Sequence, residues 1–173
     1  PQATASLYEH RWEKKEFSKA DGLKGKRLGI VGLGQIGLEV AQRAKAFEME
    51  VMAYSYGLTK EVAESHGVFF CDSLELLCRE SDILTVHVPF TPETKHLFHR
   101  ERFAQMKENA FFINTSRGGI HDQEALLEAM NTKGLRAALD VFEKEPASGD
   151  NVFEAEILRH PNFIGTPHIG AST

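Results

Sequence analysis

The sequence predicts an α/β protein, a doubly wound parallel sheet of the Rossmann type with helices on both faces in three layers. Three observations carry this. Residues 28–37 read LGIVGLGQIG, an apolar run that closes on three glycines spaced G-x-G-x-x-G. Short apolar runs alternate with helix-period segments along the rest of the chain. Residues suited to chemistry follow the ends of those runs, which is the edge where such sheets hold ligands.

The glycine stretch organises the rest. Leu28 to Val31 predict a buried strand, and the glycines turn the chain into a helix opening near Gln35. Gly32 makes the tight turn, Gly34 lets the backbone approach a pyrophosphate, and Gly37 lets helix and strand pack closely. An anion would lie on the unpaired N–H groups at the positive end of that helix. A strand-to-helix turn needs glycine for steric reasons alone, so the flanking periods give the motif its weight.

Composition narrows the function classes. The 173 residues suffice for one domain with a sizeable core and are too few for two of ordinary size. Charged residues make up 26% and the hydrophobic set 42%, and no apolar run is long enough to cross a bilayer. A net charge of −5 supplies no basic excess for phosphates along a nucleic acid, whereas one dinucleotide needs only a local cluster of donors. Neither a membrane nor a nucleic acid is expected as a partner. Cys71 and Cys78 read as reduced packing residues rather than a disulfide or a metal pair, which fits a cytoplasmic protein. No signal peptide is visible, and because the sequence opens on Pro1 rather than methionine, the true N-terminus is expected to lie outside it.

The opening segment is polar, with Trp12 and Phe17 among charges, and reads either as an arm packed on another domain or subunit or as a surface extension. The first long helix is expected over 35–47, with Ile36, Val40, Ala41, Ala44 and Phe47 on its buried face. Strands follow at 50–54, 68–70, 82–87, 110–114, 135–139 and 162–164. Helices are expected at 60–66, 73–79, 100–106 and from 122 to about 130, the last with Asp122 as N-cap and Glu124 in its first turn.

Five strand ends draw attention. Ser55 follows the second strand, where a dinucleotide site usually carries an acid for the adenosine ribose; a serine bonds one hydroxyl and cannot chelate two. His87, Val88 and Pro89 could wall the adenine side, His87 being equally a plain strand-end residue. Arg117, followed by two glycines, could bring its planar fork against a carboxylate, or be a surface arginine in a flexible loop. Asp140 opens a loop containing Glu143 and Glu145, a run that is commonly just solvated. His168 after Pro167 is a plausible acid–base group, although a lone histidine is more often structural. All lie at one sheet edge with the glycine turn. That convergence gives a mechanism: Arg117 holds a substrate carboxylate, His168 takes the hydroxyl proton as hydride leaves the same carbon, and Glu145 orients the imidazole.

GLGQIG, HVPFTPET, NTSRGGI, ALDVFEKEP and TPHIGAST, in this order and spacing, resemble the nucleotide-binding domain of the D-isomer-specific 2-hydroxyacid dehydrogenases. The likeness covers nearly the whole chain, and PQATAS and PHIGAST bring it nearest to the branch acting on D-3-phosphoglycerate, at the first step of serine synthesis. The resemblance implies catalytic roles for Arg117, Glu145 and His168. It places Asp140 at the nicotinamide end and adds Gln35, Ile36, Val88, Pro89, Thr115 and Gly170 to the cofactor site. Glutamate at 145 favours hydroxyacid oxidation over the formate-oxidising branch. The implied cofactor is NAD, with NADP possible because Ser55 replaces the usual aspartate. The implied partners are a small 2-hydroxy or 2-oxo acid and a second copy of the chain, the dimer forming through this domain and its N-terminal arm. No metal site is implied.

Three departures qualify the likeness. Glu48 stands where members carry glycine at the end of the first long helix, so strain is expected if that position is left-handed. Ser55 leaves the choice between NAD and NADP open, with Lys60 the nearest downstream cation. In extent, 1–173 reads as the cofactor domain alone, 1–22 being the arm and crossover and 165–173 the start of the return crossover, with the substrate domain absent. Such a chain is expected to bind cofactor and show little turnover by itself.

Other classes fit less well. A corepressor-like NAD(H) sensor shares these motifs, as does a glyoxylate or hydroxypyruvate reductase, and a cofactor-binding module without catalysis is a further reading. His96 and His99 make an isolated H-x-x-H that reads as surface pattern. Neither a G-x-S-x-G elbow nor a P-loop lysine is present.

Overall fold

A computed structural model of the chain describes residues 2–19, 22–146 and 152–171. The helix and strand segments expected from the sequence fall close to observed ones. The exact junction near residue 21 and the final residues of the return crossover, 172–173, fall outside the described residues.

Two short helices lead, α1 (Gln2–Tyr8) and α2 (Lys14–Phe17). There follow β1 (Arg27–Val31), α3 (Gln35–Ala46), β2 (Glu50–Tyr54), α4 (Lys60–Ser65), β3 (Phe69–Phe70), α5 (Leu74–Glu80) and β4 (Ile83–Val86). The second half contains α6 (Arg100–Gln105), β5 (Phe111–Asn114), α7 (Gln123–Lys133), β6 (Arg136–Leu139) and β7 (Phe163–Gly165), with short 3₁₀ turns at Gly118–Ile120 and Glu156–Arg159. The seven strands form one sheet in the order β3-β2-β1-β4-β5-β6-β7, and every pairing is parallel.

This order follows from the connections. A parallel neighbour requires a crossover, and right-handed crossovers through helices wind the chain outward to β3, then back past β1 to β4 and on to β7. The direction reverses between β1 and β4, leaving a crevice beyond their carboxyl ends. Side chains alternate along β1. Leu28 and Ile30 join Ala41 and Ala44 of α3 on one face, while Val31 joins Leu74 and Leu77 of α5 on the other. On that second face Phe98, Phe103 and Phe112 pack ring against ring at 4.9–5.9 Å beneath α6 and α7.

Two expectations about α3 are corrected. Ile36 is 67% exposed and Phe47 61%, so neither belongs to the buried face, which consists of Gly37, Ala41 and Ala44 with Val40 partly buried. Ile36 lies in the first turn beside the open crevice, and Phe47 is the cap beyond the last helical residue. Glu48 has φ of +57°, the left-handed conformation expected where relatives carry glycine. Its carbonyl accepts from Gly25 N at 2.9 Å, which ties the strained residue to the approach to β1.

Asp122 caps α7 as expected, its Oδ1 accepting from Ala125 N at 2.9 Å. Cys71 and Cys78 are free and buried, and burial pushes their thiols up to about 11 and about 12. Such thiols stay protonated and pack as small apolar groups. Among the described residues no helix is long and apolar enough to cross a membrane.

Candidate functional site

The crevice floor is the glycine turn. Gly32 has φ of +95°, and a β-carbon there would lie 2.7 Å from the His87 carbonyl, so both its conformation and its space exclude a side chain. A β-carbon on Gly37 would meet the Gly32 carbonyl at 2.2 Å, which is why helix and strand can approach here. Gly34 differs: nothing lies within 4 Å of the place its β-carbon would take. That space opens directly onto the start of α3, whose N-cap is Gly34 and carries no side-chain cap. Helix N–H groups left unpaired at such an open start are the kind of cradle that suits a phosphate anion. Gln35 and Ile36, both exposed, flank it.

The other residues expected at a cofactor follow the carboxyl ends of their strands. Val88 packs against Gly32, and the Pro89 carbonyl accepts from Thr94 Oγ1 at 2.7 Å, fixing the loop after β4. His87 bonds Thr85 Oγ1 through Nε2 at 3.0 Å, and burial lowers its pKa, so it belongs structurally to the strand end. Ser55 follows β2, and its carbonyl accepts from Leu58 N at 3.1 Å in a turn that leaves Tyr56 fully exposed. Thr115 is exposed after β5.

Asp140, at the end of β6, is buried and accepts three hydrogen bonds: from Thr166 Oγ1 at 2.5 Å, Ile169 N at 3.0 Å and Gly170 N at 2.9 Å. Burial pushes its carboxyl up, but the Thr166 hydroxyl, the two amides and the nearby His168 outweigh that and hold its pKa below the ordinary value. Its backbone carbonyl accepts from His168 N at 2.8 Å. Asp140 is therefore the anchor that folds the loop after β7 back over the sheet edge. Gly170 is part of the same clasp, since a β-carbon there would reach Asp140 Oδ2 at 2.8 Å.

That clasp presents His168, at φ of +53°, to Glu145. His168 Nδ1 meets Glu145 Oε2 at 2.8 Å, and Glu145 Oε1 accepts from Phe142 N at 3.0 Å. A carboxylate accepts, so Nδ1 is the donor in this contact, and the neutral form of the ring has its lone pair on Nε2. An apolar hollow of about 370 Å³, walled by Phe142, Phe153, Leu158 and Phe163, adjoins the pair.

Arg117 follows β5 at the same edge and is exposed, its Nη1 donating to the Ser116 carbonyl at 2.6 Å. The two glycines after it act otherwise than the sequence suggests. Gly118 packs against the chain at 142–143, where a β-carbon would lie 1.9 Å from the Phe142 carbonyl, and Gly119 lies against the Phe90 ring. They join the arginine loop to its neighbours rather than loosening it. The structure also brings in Asn114 beneath the arginine loop and Thr166 on Asp140, which motif reading passes over, and bonds His96 through Nε2 to Glu143 at 2.8 Å. His99 instead bonds Glu101 at 2.6 Å, so the H-x-x-H pair diverges. Among the described residues no three His, Cys, Asp or Glu are grouped to hold a metal.

Residues 1–170 match the family described as D-isomer specific 2-hydroxyacid dehydrogenase, NAD binding domain. The chain belongs to this family. D-3-phosphoglycerate dehydrogenase of Methanocaldococcus jannaschii is 51% identical over the whole chain, which spans 32% of that protein. Hydroxypyruvate reductase of Thermotoga maritima is 44% identical over 99% of the chain and 54% of its own length. Among solved structures, phosphoglycerate oxidoreductase from Vibrio cholerae superposes with a TM-score of 0.86 at 28% identity, covering 96% of this chain and 53% of that one. The chain spans about a third of the length of the curated phosphoglycerate dehydrogenases it matches. This member of the NAD binding domain family leaves open space at Gly34, carries a hydroxyl side chain at Ser55 after β2, and has a hydrogen-bonded edge around Asp140.

Proposed function

We propose that this domain, joined to a substrate-binding domain, catalyses reversible oxidation of a D-2-hydroxy acid, with D-3-phosphoglycerate the substrate and serine synthesis the context. The observation that carries the reading is the His168–Glu145 pair, clasped by Asp140 at the same sheet edge as the phosphate cradle. The backbone at Gly34, Gln35 and Ile36 would hold the pyrophosphate, Ser55 the adenosine ribose, Val88 and Pro89 the adenine side, and Thr115, Asp140 and Gly170 the nicotinamide end. Bound nicotinamide supplies the hydride chemistry at the carbinol carbon. Arg117 leaves its bond to Ser116 and grips the substrate carboxylate in a bidentate pair, which fixes the carbinol over the edge. His168 Nε2 takes the hydroxyl proton, and Glu145 holds the ring in the required tautomer and balances the imidazolium. In the reverse direction the same nitrogen returns the proton.

NADP(H) is accepted as well as NAD(H), because Ser55 brings no carboxylate to repel a 2′-phosphate. The protein is a cytoplasmic homodimer, with α1 and α2 contributing to the contact: Tyr8 and Trp12 are each 81% exposed and Leu7 55%, an apolar surface on the arm. Sedimentation showing a monomer at micromolar concentration overturns the dimer.

Calorimetric titration of the chain with NADH and NADPH tests the cofactor site. Binding of both is expected; binding of NADH alone overturns the acceptance of NADP(H), and binding of neither overturns the cradle. In the intact protein, His168→Asn and Arg117→Ala are each expected to lower turnover at least ~100-fold, with cofactor affinity retained. Turnover of hydroxypyruvate or glyoxylate in preference to phosphoglycerate would reassign the substrate.

A further inference from the structure

Arg117 is central to the proposed site, yet its guanidinium is bonded to the neighbouring Ser116 carbonyl rather than to a distant anchor. Its position is set by the backbone of its loop, and that backbone is held from beneath. Asn114, fully buried at the end of β5, accepts from Ser116 N at 2.9 Å through Oδ1 and donates to the Arg117 carbonyl at 2.9 Å through Nδ2. The same Nδ2 faces His121 Nδ1 at 3.0 Å.

These contacts fix the protons. The Ser116 amide can only donate, so the Asn114 amide cannot be flipped. Its NH₂ can only donate, so His121 Nδ1 accepts and the ring hydrogen is on Nε2. That Nε2 is buried and has no hydrogen-bond partner among the described residues. His121 itself is 0% exposed and packs on Phe112 at 5.7 Å between centroids. An aromatic or aliphatic side chain would fill this space without burying an unpartnered N–H, which is costly. The site bears that cost, so the lone pair on Nδ1 is what the position uses. Burial holds the His121 pKa at about 4, which keeps the ring neutral and the lone pair available near neutral pH.

We propose that His121 is a positioning residue for Arg117: by taking one amide hydrogen of Asn114, it holds the other on the Arg117 carbonyl and so sets where the guanidinium meets the substrate. The chain of contacts is continuous, from His121 through Asn114 to the Ser116 and Arg117 backbone. Gly118, seated on the Phe142 carbonyl, continues it to the loop that carries Glu145. The inference rests on Arg117 being the carboxylate clamp.

The test uses the intact dehydrogenase with 3-phosphohydroxypyruvate and hydroxypyruvate as oxo acids. His121→Phe and His121→Leu, which remove the acceptor, are expected to raise KM for the oxo acid by about tenfold or more while NADH affinity stays unchanged. His121→Asn, which restores an acceptor oxygen near the place of Nδ1, is expected to bring KM back toward the wild-type value. A purely structural role predicts the opposite order, with the ring-sized Phe mildest and Asn worst, and that order overturns the proposal. Arg117→Ala separates the two readings. If it leaves KM and turnover unchanged, the clamp itself falls; if it abolishes turnover while His121→Phe matches the wild type, only the role of His121 falls. Nitrogen-15 spectra of the unmutated chain need no variant: an Nε2–H tautomer at His121 is required, and an Nδ1–H tautomer overturns the proposal.

Discussion

Glu48 and Gly118 are mirror cases of one residue-scale rule, that a β-carbon is tolerated or refused by its immediate surroundings. At φ of +57° the Glu48 β-carbon costs about 1–2 kcal/mol against glycine, and its exposed ion pair with Lys24 returns little of that. Glu48→Gly is therefore expected to stabilise the domain by about 1 kcal/mol, read as a higher urea midpoint with unchanged slope. This strain is legible only through the family resemblance, because Glu48 stands where the family pattern has glycine. Gly118 is legible there only as half of an RGG motif. Its true constraint is the Phe142 carbonyl, 1.9 Å from where a β-carbon would stand, and this contact between segments distant in sequence leaves no local signature. Gly118→Ala must displace either the arginine loop or the loop of Glu145. It is expected to lower kcat/KM of the intact enzyme by roughly 100-fold while NADH binding, which relies on β1 and α3, is largely kept.

Elements are the most readable level, because periodicity and caps are local properties of the chain. Asp122 shows this well: an acid before a helical period announces the start of α7, and the structure places its Oδ1 on Ala125 N. Asp122→Ala is expected to cost about 1 kcal/mol, measured by thermal or urea unfolding. Ends are less readable. The helix expected to stop near Met130 runs on to Lys133, where Gly134 at φ of +69° closes it, and the strand expected over 82–87 pairs only from Ile83 to Val86. The flanking Asp82 and His87 still donate their amides to the neighbouring strand, to the Arg27 carbonyl at 2.9 Å and the Val31 carbonyl at 2.7 Å, so the extended chain runs one residue past the paired ladder at each end. The buried face of α3 differs from expectation at Ile36 and Phe47 for a related reason: helical period says which residues share a side, while exposure also depends on how far the sheet beneath extends.

At the scale of the molecule, partly buried His87, buried His121 and the carboxyl of Asp140 are among the groups that tie folding to pH. Burial, partly offset by Glu143 and Asp122 and reinforced by His96, lowers the His121 pKa from 6.5 to about 4. Between those values the unfolded chain binds a proton that the folded one refuses, so stability rises with pH across this window. The difference amounts to roughly 3 kcal/mol. Asp140, also lowered, contributes stability that is present above its ordinary value of 3.8 and is lost as pH falls through its folded pKa. Urea midpoints are thus expected to be level above pH 7 and to fall steadily from pH 6.5 to 4, and His121→Asn is expected to flatten that fall. A second expectation is that the chain by itself binds cofactor and turns over oxo acid at a negligible rate, checked by NADH consumption; robust turnover would contradict the need for a second domain. By itself the sequence determined the α/β class, the glycine turn from β1 into α3, the parallel winding and the family, since each of these is written in period, spacing and ordered motifs. It also named Arg117, Glu145 and His168. Only the tertiary structure decided how these residues are held: Asp140 clasping the loop of His168, Gly118 seated on a distant carbonyl, and His121 beneath Asn114. The first two contacts join loops that are distant in sequence, the third joins residues seven apart across the arginine loop, and all three depend on a three-dimensional fit that no pattern along the chain records.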